Sequence, residues 1–491
     1  MGWLLLATVA LVAFAARLLP VLGSSGLRAI HQYDASVYFG SAVGLVHGRL
    51  PYRDFLLLHP PGLPVALTPF AALTYLTSDS NAMVAARLAW MGLGAANAVL
   101  VAVILRRLGR LPAAIGALCY AVSYPAVTIE QTTRLEGLAA TCLLGAVALL
   151  TGRGAERRVS NRWLVLAGLL LGLSATIKVW QVVPVLVVVA VVLMTTGRRR
   201  AASLLGVAVA MATVVCLPFL LAAPGPMWRY VVTDQVGRAS AGTPLTTRLA
   251  DITGIGLAEN QLGALLPAAV TAAAVVLVTS AVLAWAAVDA RLPVALLAVL
   301  TVVLLFIPGW LPHYAGLVAA PAAIVLGAAT LPLLLRARQA GRLWVVGLVA
   351  VVAAGVVAAG AALTRVEFAR PFQPGAARAV VATLPGCITA DDPGTLVELD
   401  VLSRNLERGC PLSLDLGGYS YEFNATRSRD IRREQDQRWQ RHALDYLGSG
   451  SAAIVTRYST GFGLSRATAA TIRSWPVLAS AGRYKLRQPP R

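Results

Sequence analysis

Long, uninterrupted apolar runs are the feature of this sequence that most restricts its fold. A helix of about 20 apolar residues crosses the hydrocarbon layer of a bilayer. Hydrophobic residues make up 57% of the chain and charged residues only 13%, about half the charged share of soluble domains, which excludes a soluble enzyme. The runs lie near residues 3–22, 82–105, 111–128, 137–151, 161–178, 179–196, 201–222, 263–287, 292–309, 314–335 and 343–363. They predict an all-α polytopic membrane protein with about eleven transmembrane helices.

A further apolar run, from Pro61 to Thr77, is predicted to be an interfacial or re-entrant helix. Counting it as a span would move the basic residues that begin at Arg106 to the outer face. Without it, the basic clusters all fall on one side, which the positive-inside rule assigns to the cytoplasm. These clusters are Arg106, Arg107 and Arg110; Arg153, Arg157, Arg158 and Arg162; Arg198, Arg199 and Arg200; and Arg336, Arg338 and Arg342. The pattern predicts a multi-pass plasma-membrane protein with a cytoplasmic N-terminus and an extracytoplasmic C-terminus.

The chain is predicted to divide near residue 364. Residues 1–364 are expected to form the transmembrane domain, with a long external loop over residues 23–80 that is the candidate for a catalytic loop. Residues 365–491 alternate short strand-like pieces with helical stretches, which predicts a small extracytoplasmic α/β domain. Cys387 and Cys410 both lie in this tail, where an oxidising compartment would allow a disulfide. The net charge of +20 comes from Arg clusters that orient helices, so nucleic-acid binding is not expected.

Three short motifs distinguish the first external loop from the rest of the sequence. Asp34 follows the first apolar run, where a carboxylate is solvated and can still face a cavity at membrane depth. The alternative is that Asp34 caps the helix that follows, a position that Asp favours. The motifs are His31-Gln-Tyr-Asp-Ala-Ser-Val-Tyr38, Gly48-Arg-Leu-Pro-Tyr-Arg-Asp54 and His59-Pro-Pro-Gly62.

The order of these motifs, followed by Ala86-Arg87-Leu88, resembles the GT-C superfamily of glycosyltransferases, which take sugars from polyprenyl phosphates. It is similar to the protein O-mannosyltransferase, aminoarabinose-transferase and Rgt-type lipopolysaccharide-core branches. The resemblance implies a GT-C-like fold in which Asp34 is the base of a single inverting displacement. Ala35 stands where some branches carry a second acid, which departs from the protein O-mannosyltransferase pattern.

The next external turn, Thr133-Arg-Leu-Glu136-Gly137, contains the second acidic position that the resemblance implies. Glu136 is therefore expected to line the catalytic site, and Glu130 is the second candidate in this turn. The alternative for Glu136 is a helix-start charge that the macrodipole favours. Ionisable residues at membrane depth are costly and are usually retained for function.

A donor that carries a phosphate requires cations. Arg87, Arg134 and Lys178 are isolated positive charges at the predicted external ends of apolar helices, so we expect them to bind the donor phosphate. The alternative is that they snorkel to lipid headgroups. His59 and His313 are expected to join them, since the turn around His313 approaches the donor phosphate in the resembling proteins. The residues expected to position the substrate are Tyr33, Tyr38 and Tyr314.

The resemblance implies transfer of one sugar, with mannose or arabinofuranose favoured, from a polyprenyl-phosphate donor to a cell-envelope acceptor. The acceptor is a glycolipid, a polysaccharide or a protein, and no cofactor or metal is expected. The alternative function is a transporter or flippase for a lipid-linked or anionic solute, which would use the same buried Arg residues as a substrate pathway. Internal pseudo-symmetry would be the mark of that alternative.

Overall fold

The structure of the protein is a computed structural model. It describes residues 2–24, 26–30, 32–151, 160–236, 242–340, 342–369, 371–423 and 433–490. His31 of the first loop motif and Arg153, Arg157 and Arg158 of the basic clusters lie outside the described residues.

Most of the described chain is helical, because apolar residues in long runs satisfy their backbone hydrogen bonds within the helix. The first helices are α1 (Trp3–Ser24), α2 (Tyr33–Val46), α3 (Gly62–Ala71), α4 (Asp79–Leu105), α5 (Arg110–Val122), α6 (Tyr124–Glu130), α7 (Leu135–Thr151), α8 (Asn161–Ile177), α9 (Val182–Thr196) and α10 (Arg198–Ala222). The next are α11 (Pro224–Trp228), α12 (Asp234–Val236), α13 (Leu245–Thr253), α14 (Glu259–Leu262), α15 (Leu266–Trp285), α16 (Arg291–Phe306), α17 (Gly316–Ala340) and α18 (Arg342–Leu363). The last are α19 (Gly375–Thr383), α20 (Pro393–Glu398), α21 (Leu402–Glu407), α22 (Tyr419–Phe423), α23 (Gln437–Gly448) and α24 (Arg466–Ser474).

The apolar helices fit a multi-pass membrane protein. Among the described residues, eight helices are long and apolar enough to cross a membrane, and α5 and α6, bent by 60°, would add a ninth as one broken span. The two remaining predicted spans, α7 and α8, are shorter apolar helices of 17 residues each. All eleven apolar runs are thus helical, and the number that crosses the membrane stays a prediction. The run after Pro61 is a short helix continued by a 3₁₀ turn to Tyr75.

The outer surface of these helices is apolar. On α15, for example, Val275, Val276, Val278 and Val282 are each more than half exposed. Such a surface would be unfavourable in water, and a lipid environment removes that cost. The exposed valines therefore indicate a helix that meets lipid.

The chain forms two compact units, and both are discontinuous in sequence. Unit 1 comprises Met1–Gly23, Leu88–Val215 and Ser240–Val366; unit 2 comprises Ser24–Arg87, Cys216–Ala239 and Glu367–Arg491. Unit 1 contains most of the apolar helices and one large apolar core. Unit 2 combines the predicted external loop with the C-terminal tail. The predicted division of the chain into residues 1–364 and 365–491 stays a prediction.

A buried carboxylate joins four helices of unit 1. Glu130 of α6 accepts hydrogen bonds from Arg17 of α1, Asn97 of α4 and Tyr120 of α5, with 2.9 Å between Arg17 Nε and Glu130 Oε2. All four side chains are fully buried. Glu130, the second candidate for the acidic site position, therefore has a structural role.

We predict that Glu130→Leu strongly destabilises the protein, because Arg17 is left as an uncompensated buried charge. Removing one partner of such a pair costs about 3–5 kcal/mol, whereas replacing both partners with apolar residues is much less harmful. Thermal unfolding in detergent should show a lower midpoint for Glu130→Leu and partial recovery in the Arg17→Leu/Glu130→Leu double variant. Equal midpoints for wild type and the single variant would contradict this role.

The tail in unit 2 folds around a small mixed sheet, as the predicted α/β domain requires. The strands are β1 (Ile388–Ala390), β2 (Ala452–Ile454), β3 (Ser459–Thr460), β4 (Gly463–Leu464), β5 (Val477–Ala481) and β6 (Tyr484–Arg487). The four-stranded sheet has the order β1-β2-β6-β5; β1 and β2 are parallel, and the other two pairs are antiparallel. The helix α23 covers this sheet with the fully buried Trp439.

A disulfide joins Cys387 and Cys410, a bond that the sequence allowed but did not decide. It links the residue before β1 to the segment that follows α21, and so closes the two helices that follow β1 into one loop. The other three cysteines, Cys119, Cys142 and Cys216, are free.

Candidate functional site

The predicted catalytic aspartate lies in the first turn of α2, in unit 2. Gln32 occupies the N-cap position and makes no side-chain capping bond, so the capping alternative for Asp34 is wrong. Asp34 is partly exposed, and its carboxylate makes no hydrogen bond to any residue within the described ranges. It is therefore available to a substrate hydroxyl.

The neighbouring Tyr33 is anchored to the C-terminal tail. Its hydroxyl donates to Asp415 Oδ1 over 3.0 Å and accepts from the Gly417 backbone N–H over 3.1 Å. The Asp415 carboxylate also accepts from the Gly418 N–H over 2.8 Å. These bonds fix the start of α2, and with it the backbone that carries Asp34.

Asp34 and Asp415 are close enough for their charges to interact. Burial raises the pKa of Asp415, and the negative charge of Asp34 raises it further. Burial also raises the pKa of Tyr33, so its hydroxyl stays protonated and can donate to Asp415.

A cation stacks on the same tyrosine. The guanidinium carbon of Arg457 lies 3.8 Å from the centre of the Tyr33 ring, and the Tyr458 ring meets Tyr33 edge-on at 6.5 Å. The loop that carries both residues is held by Asp391, whose carboxylate accepts the backbone N–H groups of Thr456, Arg457 and Tyr458. Asp391 is thus a structural residue at the end of a strand.

The second loop motif folds as a tight turn. The Asp54 carboxylate accepts the Leu50 N–H over 2.7 Å, and Tyr52 adopts a positive φ of 69°, a conformation that non-glycine residues seldom adopt. The Tyr52 hydroxyl then donates to the carbonyl of His59 over 2.6 Å, and the His59 ring meets the Tyr38 ring at 5.8 Å. The motifs therefore bring His59 and Tyr38 together on unit 2.

Arg87, a predicted phosphate ligand, lies in a buried ion pair instead. Its Nη1 is 3.2 Å from Glu398 Oε1, and the same atom donates to the carbonyl of Leu27. Burial raises the pKa of Glu398 to about 7, and the charge of Arg87 opposes that rise. This pairing favours a structural role for Arg87.

Unit 1 brings together four of the other predicted site residues. Lys178 Nζ lies 2.5 Å from Glu136 Oε1, and His313 Nε2 lies 3.7 Å from the same oxygen. Lys178 Nζ also lies 3.7 Å from the centre of the Tyr314 ring. Glu136 thus lies between a lysine and an imidazole, and the four residues form one polar cluster.

Unsatisfied polar groups surround Arg134 in the turn before Glu136. Arg134 is 6% exposed, and its Nε and Nη1 atoms are buried without a hydrogen-bond partner. The side-chain amide of Gln131 and the hydroxyl of Thr132 are also buried without partners. Buried polar groups are almost always hydrogen-bonded, so this turn has the character of a site that a polar ligand completes.

A family comparison decides which protein class these features belong to. The model of glycosyltransferase family 87 matches residues 57–311, more than half of the chain. The chain belongs to glycosyltransferase family 87. No curated protein sequence matches it.

Solved structures show the fold of this family 87 glycosyltransferase. It is similar to ArnT from Cupriavidus metallidurans bound to undecaprenyl phosphate, with a TM-score of 0.57 and 16% identity over 99% of this chain and 97% of ArnT. It is also similar to the archaeal oligosaccharyltransferase AglB from Archaeoglobus fulgidus, in complex with an inhibitory peptide and a dolichol-phosphate. That match has a TM-score of 0.57 and 14% identity over 92% of this chain and 70% of AglB. The GT-C fold inferred from the first loop is confirmed.

Three residues with candidate functional roles, Gln131 and Thr132 in unit 1 and Asp415 in unit 2, were missed from the sequence. Gln131 and Thr132 lie in a turn whose charged residues drew attention first. Asp415 is a lone acid in Leu414-Asp-Leu416, directly before two glycines, and that isolation was its only signal. Across the described residues, no group of three or more His, Cys, Asp or Glu is placed to hold a metal ion.

Two equally buried arginines provide a test of the Arg134 site. Arg248 is 5% exposed and donates to the carbonyls of Thr243, Leu304, Leu305 and Ile307, whereas Arg134 has two buried N–H groups without partners. We predict that Arg248→Gln lowers the thermal midpoint, because at least three carbonyls lose a donor, and that Arg134→Gln leaves it near wild type or raises it. The measurement is thermal unfolding of both variants in one detergent. A larger loss for Arg134→Gln would mean that Arg134 is structural.

Proposed function

We propose that this protein transfers one sugar from a polyprenyl-phosphate donor to a cell-envelope acceptor with inversion at the anomeric carbon. The acceptor hydroxyl attacks that carbon as its bond to the phosphate oxygen breaks. Asp34 takes the hydroxyl proton, and the lipid phosphate departs with the bonding electron pair. The observation that carries this proposal is the Asp34 carboxylate, which is held at the start of a fixed helix and has no hydrogen-bond partner among the described residues.

The comparisons support the choice of donor. The ArnT structure contains undecaprenyl phosphate, and the AglB structure contains a dolichol-phosphate. Both ligands are polyprenyl phosphates, and each match covers more than nine-tenths of this chain. Membership of glycosyltransferase family 87 supplies the reaction class.

Arg134 is the residue that we assign to the donor phosphate. A guanidinium presents N–H donors in a plane that matches two phosphate oxygens, and two of the buried donors of Arg134 have no other partner. Gln131 and Thr132 would bind the remaining oxygens or the sugar. Lys178 and His313 are assigned a supporting role, because Glu136 already balances the lysine charge.

The disulfide in the tail supports an extracytoplasmic position for the tail. The Cys387–Cys410 disulfide is the type of bond that persists outside the cytoplasm. We therefore propose that transfer takes place on the outer side of the plasma membrane, with mannose or arabinofuranose as the sugar.

The base assignment is tested by Asp34→Asn. We expect turnover of the accepted polyprenyl-phosphate sugar to fall by about 10²–10⁴-fold, because the amide cannot take the proton. The assay uses full-length protein in nanodiscs with a panel of such donors and envelope-lipid acceptors. Asp445→Asn, the same change at an exposed acid of unit 2, is the matched control and should keep full activity.

Two outcomes of this assay would reject parts of the proposal. Full activity of Asp34→Asn would remove Asp34 from the role of base. If no donor turns over and wild-type protein instead moves the intact lipid-linked sugar across a vesicle membrane, the transporter alternative takes its place.

A second pair of variants tests how the tail positions Asp34. Asp415→Ala removes the acceptor for the Tyr33 hydroxyl, so the start of α2 loses its anchor. Because misplacement of a catalytic group by about 1 Å can cost up to 10²-fold in rate, we expect slower turnover by this variant. Asp415→Asn keeps an oxygen at that position and should retain most of the turnover. We expect the loss to appear in kcat, measured with the same donor and acceptor. Equal activity of the Ala and Asn variants would show that the Tyr33 bond does not matter for catalysis.

A further inference from the structure

All charged residues in the last part of the sequence are basic. Residues 446–491 contain six arginines, one lysine and no aspartate or glutamate. The rest of the tail carries charges of both signs. A segment with one sign of charge creates a positive potential that attracts anions.

This segment lines a cavity in unit 2 that is open to solvent. The cavity has a volume of about 220 Å³ and lies between β2, β6 and α24. Four basic side chains and two tyrosines contribute to its lining, and no acidic residue does. They are Arg473, Arg483, Lys485, Arg487, Tyr458 and Tyr484.

Three of the four cations have hydrogen-bond partners, and none of the four is neutralised. Arg487 Nη1 donates to the backbone carbonyls of Arg473 and Trp475 over 2.8 and 2.7 Å, which orients its guanidinium. Lys485 Nζ lies 2.9 Å from the Ser480 hydroxyl, and Arg483 Nη2 lies 2.9 Å from the Tyr484 hydroxyl. All of these partners are neutral, and none of the ion pairs within the described residues includes any of the four cations.

The rest of the lining narrows the class of ligand. At about 30 Å³ per water molecule, the cavity has room for roughly seven waters, more than a bare phosphate needs. The hydroxyls of Ser459 and Thr460 offer hydrogen bonds, while Leu464 and Ile472 give the cavity an apolar side. A ligand with a negative group, several hydroxyls and a partly apolar ring face matches all three kinds of surface.

The cavity is connected to the proposed catalytic helix through one residue. Tyr458 lines the cavity, and its ring also meets the ring of Tyr33, the residue before Asp34. A glycan held in the cavity would therefore lie beside the helix that carries the base. That connection favours a glycan that takes part in the reaction over a lipid headgroup in the membrane.

We propose that this cavity, formed by Tyr458, Tyr484 and the four cations, binds an anionic sugar, phosphorylated or carboxylated, of the acceptor glycan. The assignment to the acceptor rests on the proposed function, whereas the binding of an anionic sugar does not. The cavity would hold a charged unit of the acceptor while another unit presents its hydroxyl for transfer.

Binding is tested with mannose 6-phosphate as the probe, by isothermal titration of full-length protein in phosphatidylcholine nanodiscs. We use Arg134→Gln as the background, so that the proposed donor site does not contribute. We expect binding at least tenfold tighter than that of mannose or of inorganic phosphate. The added double change Arg473→Gln/Arg483→Gln should weaken binding at least tenfold, and the matched change Arg438→Gln/Arg441→Gln, at exposed arginines of α23, should not.

Three binding results would overturn the proposal. The first is that inorganic phosphate binds as tightly as mannose 6-phosphate, which would indicate a simple anion site. Another is loss of probe binding when anionic lipid is added to the nanodisc, which would indicate a headgroup site. The third is that the Arg473→Gln/Arg483→Gln change leaves the affinity for mannose 6-phosphate the same as in the Arg134→Gln background.

The transfer assay separates the acceptor assignment from binding. With otherwise wild-type protein, Arg473→Gln/Arg483→Gln should raise the KM for the acceptor and leave kcat unchanged. An unchanged KM in an active protein would reject the acceptor assignment. If no donor turns over while mannose 6-phosphate still binds through Arg473 and Arg483, the proposed function fails and the anionic-sugar site stands.

Discussion

The carboxylate of Glu130 is the constraint on which the helical unit depends. Four helices contribute to its hydrogen-bond network. Water cannot replace any of these partners, because the surrounding helix surface is apolar and faces lipid. In such a medium a charge is tolerated only when it is paired and hydrogen-bonded. The charge of Glu130 therefore specifies which helices meet. The turn that follows it carries Arg134 and Glu136, and its position is fixed by the same network.

The contrast between satisfied and unsatisfied polar groups separates structure from function in this protein. Arg248 and Glu130 have their partners within the protein, and both hold helices or loops together. Arg134, Gln131 and Asp34 are different, because hydrogen-bonding groups on each of them find no partner in the described chain. A protein that keeps such groups in place has a reason beyond stability. Charge alone, which is what a sequence displays, does not make this distinction.

Local features of the fold were predictable from sequence. The eleven apolar runs became helices because their composition leaves the helix as the only way to satisfy the backbone in lipid. The α/β character of the tail also followed from short-range patterns, whereas the bond between Cys387 and Cys410 was only a possibility. The motifs around Asp34 carried the GT-C fold, because a specific order of residues in one loop identifies a family where composition does not.

Long-range pairings were not predictable. Arg87 read as a free cation until its partner appeared at Glu398, 311 residues later, and the Asp415 that anchors Tyr33 lies 382 residues away. The sequence near Arg87 does not show which partner the arginine has. An isolated arginine in an apolar helix is found both in buried ion pairs and in phosphate sites. The capping role of Asp34 was left open for a different reason. Periodicity in the sequence locates the start of a helix only to within one or two residues.

The discontinuity of unit 2 has a consequence for the biogenesis of the protein. Ribosomes add about 5–20 residues per second, so the 382 residues between Tyr33 and Asp415 correspond to roughly 20–75 s of synthesis. During that interval the helix that carries Asp34 has been made but its anchor has not. The sheet of the tail closes later still, since β6, which pairs with β2, follows Asp415 in the sequence. A chain released before the tail is made therefore carries the aspartate without the support that holds it in place.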